Sequence, residues 1–201
     1  MKVLLICCDI SSLVIDTLCK EAMEENATVA CFYFDFAAKE QSPVAVLGSV
    51  LRQAVGGLGE IPEKIVKAFR DRGKVIGGKR LQLAEIVEFL QDILSSQCTF
   101  ICVDALDECQ PGHRVKLLVL LNQILRRSPG ARLFLTGRPH IRGEVEGRLA
   151  GRTVSRSITP TKDDIVVFLR AKLSEDTMPD AMDESLEEEI VQNIPETVSE
   201  M

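Results

Sequence analysis

The 201-residue sequence predicts an α/β fold: a parallel sheet flanked by helices in three layers, with a short helical extension at the C-terminal end. Three observations predict it. Short runs rich in β-branched residues alternate with longer segments of helical period, which is the order a parallel sheet covered by helices requires. The helical segments each carry one apolar stripe. The stretch Phe100 to Cys109, FICVDALDEC, is an apolar run that stops abruptly at Asp104, Asp107 and Glu108, as a buried strand does where it leaves the sheet.

Taken in order, Val3 to Cys7 reads as the first strand, and the helix after it shows Val14, Ile15, Leu18, Ala22 and Met23 on one face. Thr28 to Phe34 is the second strand. Gly56 to Leu81 is loop-rich, with Gly-Gly pairs flanking a short helix from Pro62 to Arg70. Leu83, Ile86, Val87, Leu90 and Leu94 line the next helix, before a strand from Cys98 to Val103. After the acidic cluster, Leu117, Leu118, Leu121, Ile124 and Leu125 repeat the helical spacing, followed by strands from Arg132 to Thr136 and from Thr153 to Ile158. Thr161, with Asp164 three residues on, makes a capping-box-like start for a helix carrying Ile165, Phe168, Leu169 and Leu173. A last amphipathic helix spans roughly Asp183 to Ile194, beyond a loop containing Pro179. The expected domains are 1–175 and the start of a helical region at 176–201.

The composition, 46% hydrophobic and 27% charged with a net charge of -6, describes a globular chain able to bury a core. The acidity and the scattered Lys and Arg argue against a nucleic-acid surface, and with no Trp and one Tyr there is no stacking platform for single strands. Seven cysteines include no C-x-x-C pair and sit mostly inside apolar runs, so they read as reduced core residues of a cytoplasmic protein. Neither His113 nor His140 has metal-ligand spacing with a cysteine. MKVLLICC is too short an apolar run for a signal peptide, and no segment is long enough to span a membrane.

Charge at the exit of a buried strand is costly unless something pairs with it. In doubly wound sheets ligands sit beyond the carboxyl ends of the strands, and an Asp closing such a strand is what phosphate-binding NTPases use to hold Mg²⁺ while a neighbouring acid orients the attacking water. The plainer reading is that Asp107 and Glu108 favour the N-terminal turn of the next helix. A magnesium site of this kind needs a glycine-rich loop ending in Gly-Lys-Ser or Gly-Lys-Thr between a strand and a helix. GKVIGGKR, Gly73 to Arg80, has the spacing but puts Arg80 where the hydroxyl belongs, and it follows a helix instead of a strand. It reads as a basic loop with chance spacing. At the first strand the connection CCDISS contains neither glycine nor lysine, so it cannot form the phosphate nest.

TVACFYFDFA (Thr28 to Ala37), FICVDALDEC, LFLTGRPHIR (Leu133 to Arg142) and SITPTKDDIVVFLR (Ser157 to Arg170) together resemble the NACHT-type P-loop NTPase domain of fungal NOD-like receptors, also described as the nephrocystin-like N-terminal domain. The similarity runs from about Ser11 to Met201. It implies a P-loop NTPase-like fold and a nucleotide-controlled signalling switch of the STAND class, using ATP or GTP with Mg²⁺. By the resemblance, Asp104 is the Walker B metal and cofactor ligand, Asp107 and Glu108 are the water-orienting acids, and Arg138 is the sensor that contacts the terminal phosphate. The implied partners are further copies of the chain or other NACHT proteins, with effector and repeat domains in full-length relatives, and neither nucleic acid nor membrane. Asp35 and His140 receive no chemistry.

The chain departs from the family where Gly-Lys-Thr should precede Leu-Ser-Ser: here stand Ile6, Cys7 and Cys8, followed by Asp9, Ile10, Ser11 and Ser12. Both ends look truncated relative to a full receptor. Each charge-assisted hydrogen bond to phosphate is worth about 1.5–3 kcal/mol, so losing three costs roughly 5–9 kcal/mol, or about three to six decades in affinity. The expectation is weak nucleotide binding and negligible hydrolysis. Two other readings compete: a non-catalytic interaction module, and a phosphoacceptor receiver with Asp104 as acceptor and Thr136 as switch. The receiver would place far fewer elements between its opening acids and Asp104.

Overall fold

The computed structural model describes residues 3–6, 11–25, 27–37, 41–73, 81–149, 153–158, 161–175 and 184–199. Cys7 to Ile10 and the basic stretch 74–80 lie outside the described residues, so the readings that fall on them are not addressed by the structure. The chain forms two compact units, Met1–Ser157 and Ile158–Met201.

The first unit is built on five parallel strands: β1 (Val3–Ile6), β2 (Thr28–Tyr33), β3 (Thr99–Asp104), β4 (Ala131–Thr136) and β5 (Thr153–Ser155). Their order across the sheet is β2-β3-β4-β1-β5. Four of these strands match the sequence reading to within a residue at each end, while β5 stops three residues short of Ile158. The order excludes the receiver reading, in which the first strand lies between the second and third. Here it lies between β4 and β5.

The helices of this unit are α1 (Ser11–Glu25), α2 (Pro43–Gly56), α3 (Glu63–Gly73), α4 (Leu83–Ser96), α5 (Pro111–Arg127) and α6 (Arg142–Arg148). The main core joins Ala30, Ile101, Val103, Leu133 and Leu135 of the sheet to Val46, Leu47, Val50, Leu51 and Ala54 of α2 and the apolar faces of α4 and α5. Alternate sheet positions point the other way, as the strand period of two demands. Cys102 and Phe134, with Ile15 and Ala22 of α1, are buried outside that core cluster.

The sequence reading assigns nothing to α2. Its signals are nevertheless present: Ser42 caps it through its hydroxyl, Pro43 occupies the first turn, and the buried residues recur at helical spacing. Four valines and an internal Gly48 in this segment weaken the propensity signal, and packing supplies the rest.

The second unit contains α7 (Lys162–Ser174) and α8 (Glu184–Ser199), which lie against each other. The predicted capping box is present: the Asp164 N–H donates to the Thr161 hydroxyl at 3.2 Å, and the Thr161 N–H donates to the Asp164 carboxylate at 2.8 Å. The Thr161 hydroxyl, which also donates to that carboxylate at 2.6 Å, and the Thr161 N–H together hold the Asp164 carboxyl below its ordinary range. The helix read as the end of the first domain thus groups with the one after it.

Candidate functional site at the exits of β3 and β4

The register of the sheet brings four strand ends together. Tyr33 pairs with Asp104, and Ile6 pairs with Thr136. The next step along the β3–β4 register beyond Val103 and Leu135 sets Asp104 beside Thr136. The fully buried Thr136 hydroxyl donates to the Asp104 carboxylate and accepts the Ala105 N–H at 2.9 Å.

That second bond holds an unusual turn. Ala105 has φ 52° and ψ 45°, the one left-handed non-glycine among the described residues. A side chain there costs about 1–2 kcal/mol. The turn lets the chain leave the strand, drive Leu106 into the core with no exposed surface, and enter a single 3₁₀ turn, Leu106–Glu108.

The same turn aims its two acids differently. Asp107 is turned inward, its side chain only 3% exposed, and accepts the Arg138 backbone N–H at 3.2 Å and its Nε at 3.3 Å. Glu108 is 22% exposed and takes the other end of the same guanidinium at 3.3 Å. Arg138 is held as a fork between two carboxylates, yet 65% of its side chain faces solvent. Gly137 makes this approach possible, because a Cβ there would lie 2.7 Å from Ile141 Cδ1 and 3.3 Å from an Asp107 oxygen.

A second arginine fixes the turn from behind. Buried Arg114 on α5 donates to the carbonyls of Asp107 at 3.3 Å and Cys109 at 3.0 Å, and pairs with Glu144 of α6 at 3.0 Å. Burial pushes the Cys109 thiol up to about 11. Sequence reasoning missed Arg114, because an arginine in the polar first turn of a helix looks like any surface arginine. It also gave Thr136 no part in holding Asp104, for that contact exists only once β4 lies beside β3.

The structure therefore brings Asp104, Asp107, Glu108 and Arg138 to one edge. Asp35 and His113 line a cavity of about 450 Å³ beside Glu108, together with Phe36, Gln41 and Gln110. His140 is exposed in the 3₁₀ turn Pro139–Ile141. Among the described residues no group of three His, Cys, Asp or Glu side chains is placed to hold a metal ion. Asp104 has one oxygen engaged by Thr136 and no cationic partner among the described residues. A single carboxylate suits Mg²⁺, which keeps most of its waters and arrives with phosphates, and does not suit a metal that needs an all-protein cage. The residues of β3 and β4 fit that role. The sequence of CCDISS offers no matching cradle for the phosphates.

Residues 9–138, more than half of the chain, match the family model described as Nephrocystin 3, N-terminal. Comparison with curated proteins finds no match. Among solved structures the chain is similar to a DNA replication initiation factor, at 8% identity over 99% of this chain and 52% of that one, with a TM-score of 0.50. It is similar also to a chain of Drosophila ORC bound to AT-rich DNA and Cdc6, at 14% identity over 88% of this chain and 58% of that one, TM-score 0.50. Cdc6p from Pyrobaculum aerophilum gives 14% identity over 85% and 43%, TM-score 0.50. At such identities the likeness is one of fold, and the chain spans about half the length of these solved chains. The chain belongs to the nephrocystin 3, N-terminal family and carries it on a P-loop NTPase-like α/β fold.

Proposed function

We propose that this chain is the nucleotide-handling domain of a cytoplasmic signalling switch of the NACHT and STAND kind, related to fungal NOD-like receptors, with its phosphate-binding half degenerate. The observation that carries the reading is Asp104: a carboxylate at the end of β3, oriented by Thr136 and left with an oxygen for a cation. When bound with ATP or GTP, Mg²⁺ would neutralise phosphate charge. Asp104 would hold it. Arg138, two residues past the end of β4 and largely solvent-facing, would reach the terminal phosphate by leaving its fork. Of the two acids, Glu108 is the one open enough to orient a water, and Asp107 serves to position Arg138.

Titration calorimetry tests the reading. Mg-ATP or Mg-GTP should bind in the millimolar range and lose that binding in Asp104→Ala. Micromolar binding would contradict the degenerate half, and binding unaffected by Asp104→Ala would remove the site altogether. In this reading assembly with further copies or other NACHT proteins follows nucleotide.

One observation favours a second reading, a non-catalytic interaction module. Arg138 already satisfies both Asp107 and Glu108, so this part of the edge is electrostatically closed without a ligand. Size-exclusion profiles that ignore nucleotide would favour the module.

A further inference from the structure

On the sheet face away from the main core, two thiols meet across neighbouring strands. Cys31 of β2 pairs in register with Cys102 of β3, so their side chains leave the sheet on the same side, and both are free. As register partners on one face of the sheet, the two thiols are immediate neighbours. They are not equivalent. Cys102 is buried at 1% exposure on a central strand, whereas Cys31 is partly exposed on β2, the edge of the sheet. Gln53 of α2 pins that edge strand at this very residue, accepting the Cys31 N–H at 2.9 Å and donating to the Cys31 carbonyl at 2.8 Å.

We propose that Cys31 and Cys102 form a peroxide-sensitive thiol pair, with Cys31 as the residue attacked first and Cys102 as the one that resolves it. Adjacent strands lie about 4.7–4.9 Å apart, within the Cα range of about 4.4–6.8 Å that a disulfide spans. The remaining adjustment falls on β2, which has a strand neighbour on one side only. The difference in exposure sets the division of roles, since a peroxide reaches the partly exposed Cys31 before the buried Cys102, and interaction with Cys102 lowers the pKa of Cys31. A partly exposed thiol of lowered pKa next to a resolving cysteine is the usual form of a redox-sensitive site.

The chemistry balances with a hydroperoxide as oxidant. The Cys31 thiolate attacks the terminal oxygen of ROOH, giving the sulfenic acid and, after protonation, ROH. The Cys102 sulfur then attacks Cys31 Sγ, the S–S bond forms, and hydroxide leaves to combine with the Cys102 proton as water. In total two thiols and ROOH give a disulfide, ROH and water. The bond would tie the sheet's edge strand to the strand that ends, two residues later, in Asp104. This inference stands apart from the nucleotide reading and needs no nucleotide.

The test is peptide mapping by mass spectrometry of the full chain without reductant, after exposure to hydrogen peroxide. The expected product is a cross-linked pair of peptides holding Cys31 and Cys102, lighter by two hydrogens and reversed by dithiothreitol. Cys31→Ser should abolish it. Cys102→Ser should leave Cys31 as a sulfenic acid that dimedone traps, and Cys19→Ser, on α1, should change nothing. A cross-link from Cys31 to another cysteine overturns the pairing. So does a Cys31 that stays reduced at peroxide levels that oxidise free cysteine.

Discussion

The exits of β3–β4 and of β1 face the same edge of the sheet and are built on different principles. At β3–β4 the polar groups engage one another: one oxygen of Asp104 with Thr136, the Ala105 N–H with the same hydroxyl, Asp107 and Glu108 with Arg138, and the turn carbonyls with Arg114. At β1 the sequence supplies two cysteines, an aspartate, an isoleucine and two serines, with neither glycine nor lysine. Groups that satisfy one another also hold β3, β4, α5 and α6 together, so the fold itself retains them. Glycines and a lysine that serve only a phosphate leave no packing defect when they are gone.

The sharpest way to test this contrast is to restore the missing half. Ile6→Gly, Cys7→Lys and Cys8→Thr together should add a charge-assisted phosphate bond and a metal-binding hydroxyl, worth roughly 3–6 kcal/mol and about two to four decades in Mg-ATP affinity. Calorimetry reads it, and a restored chain that binds no tighter sinks the assignment of this edge. Next in size is Arg114→Ala, which leaves Glu144 unpaired and two carbonyls without their donor. Removing one member of a buried pair costs about 3–5 kcal/mol. Urea unfolding should register it, and a loss below about 1 kcal/mol would show that the turn does not depend on this arginine.

Thr136→Val keeps the shape and removes the hydroxyl. Stranding the Ala105 N–H should cost about 1–3 kcal/mol and loosen Asp104, so any weak Mg-nucleotide binding should fall with it. Unchanged stability and binding would separate Thr136 from the site. The smallest expected effect is alkaline. The Cys109 thiol is raised by burial from its ordinary 9.0 to about 11, so the unfolded chain ionises first. Stability present below about pH 9 should therefore decline as pH climbs toward 11. Cys109→Ala should flatten that part of the curve in chemical denaturation, and an unaltered slope would assign the alkaline loss elsewhere.

The amino-acid sequence alone determined the parallel α/β class, four of the five strands nearly to the residue, and the acid-ended strand with Asp104 at its tip. Those features are local: an alternation of periods and a run of apolar residues stopped by charge. Local pattern did not reveal α2, whose valines and internal glycine make a helix mainly because the core covers one of its faces. Nor could it divide the acids between an inward Asp107 and an outward Glu108, identify Arg114 as buried, or bring Cys31 against Cys102. Each of these depends on strand order and register, which set residues some thirty to seventy positions apart side by side. Register is decided by the packing of whole elements, so only the folded chain contains that information.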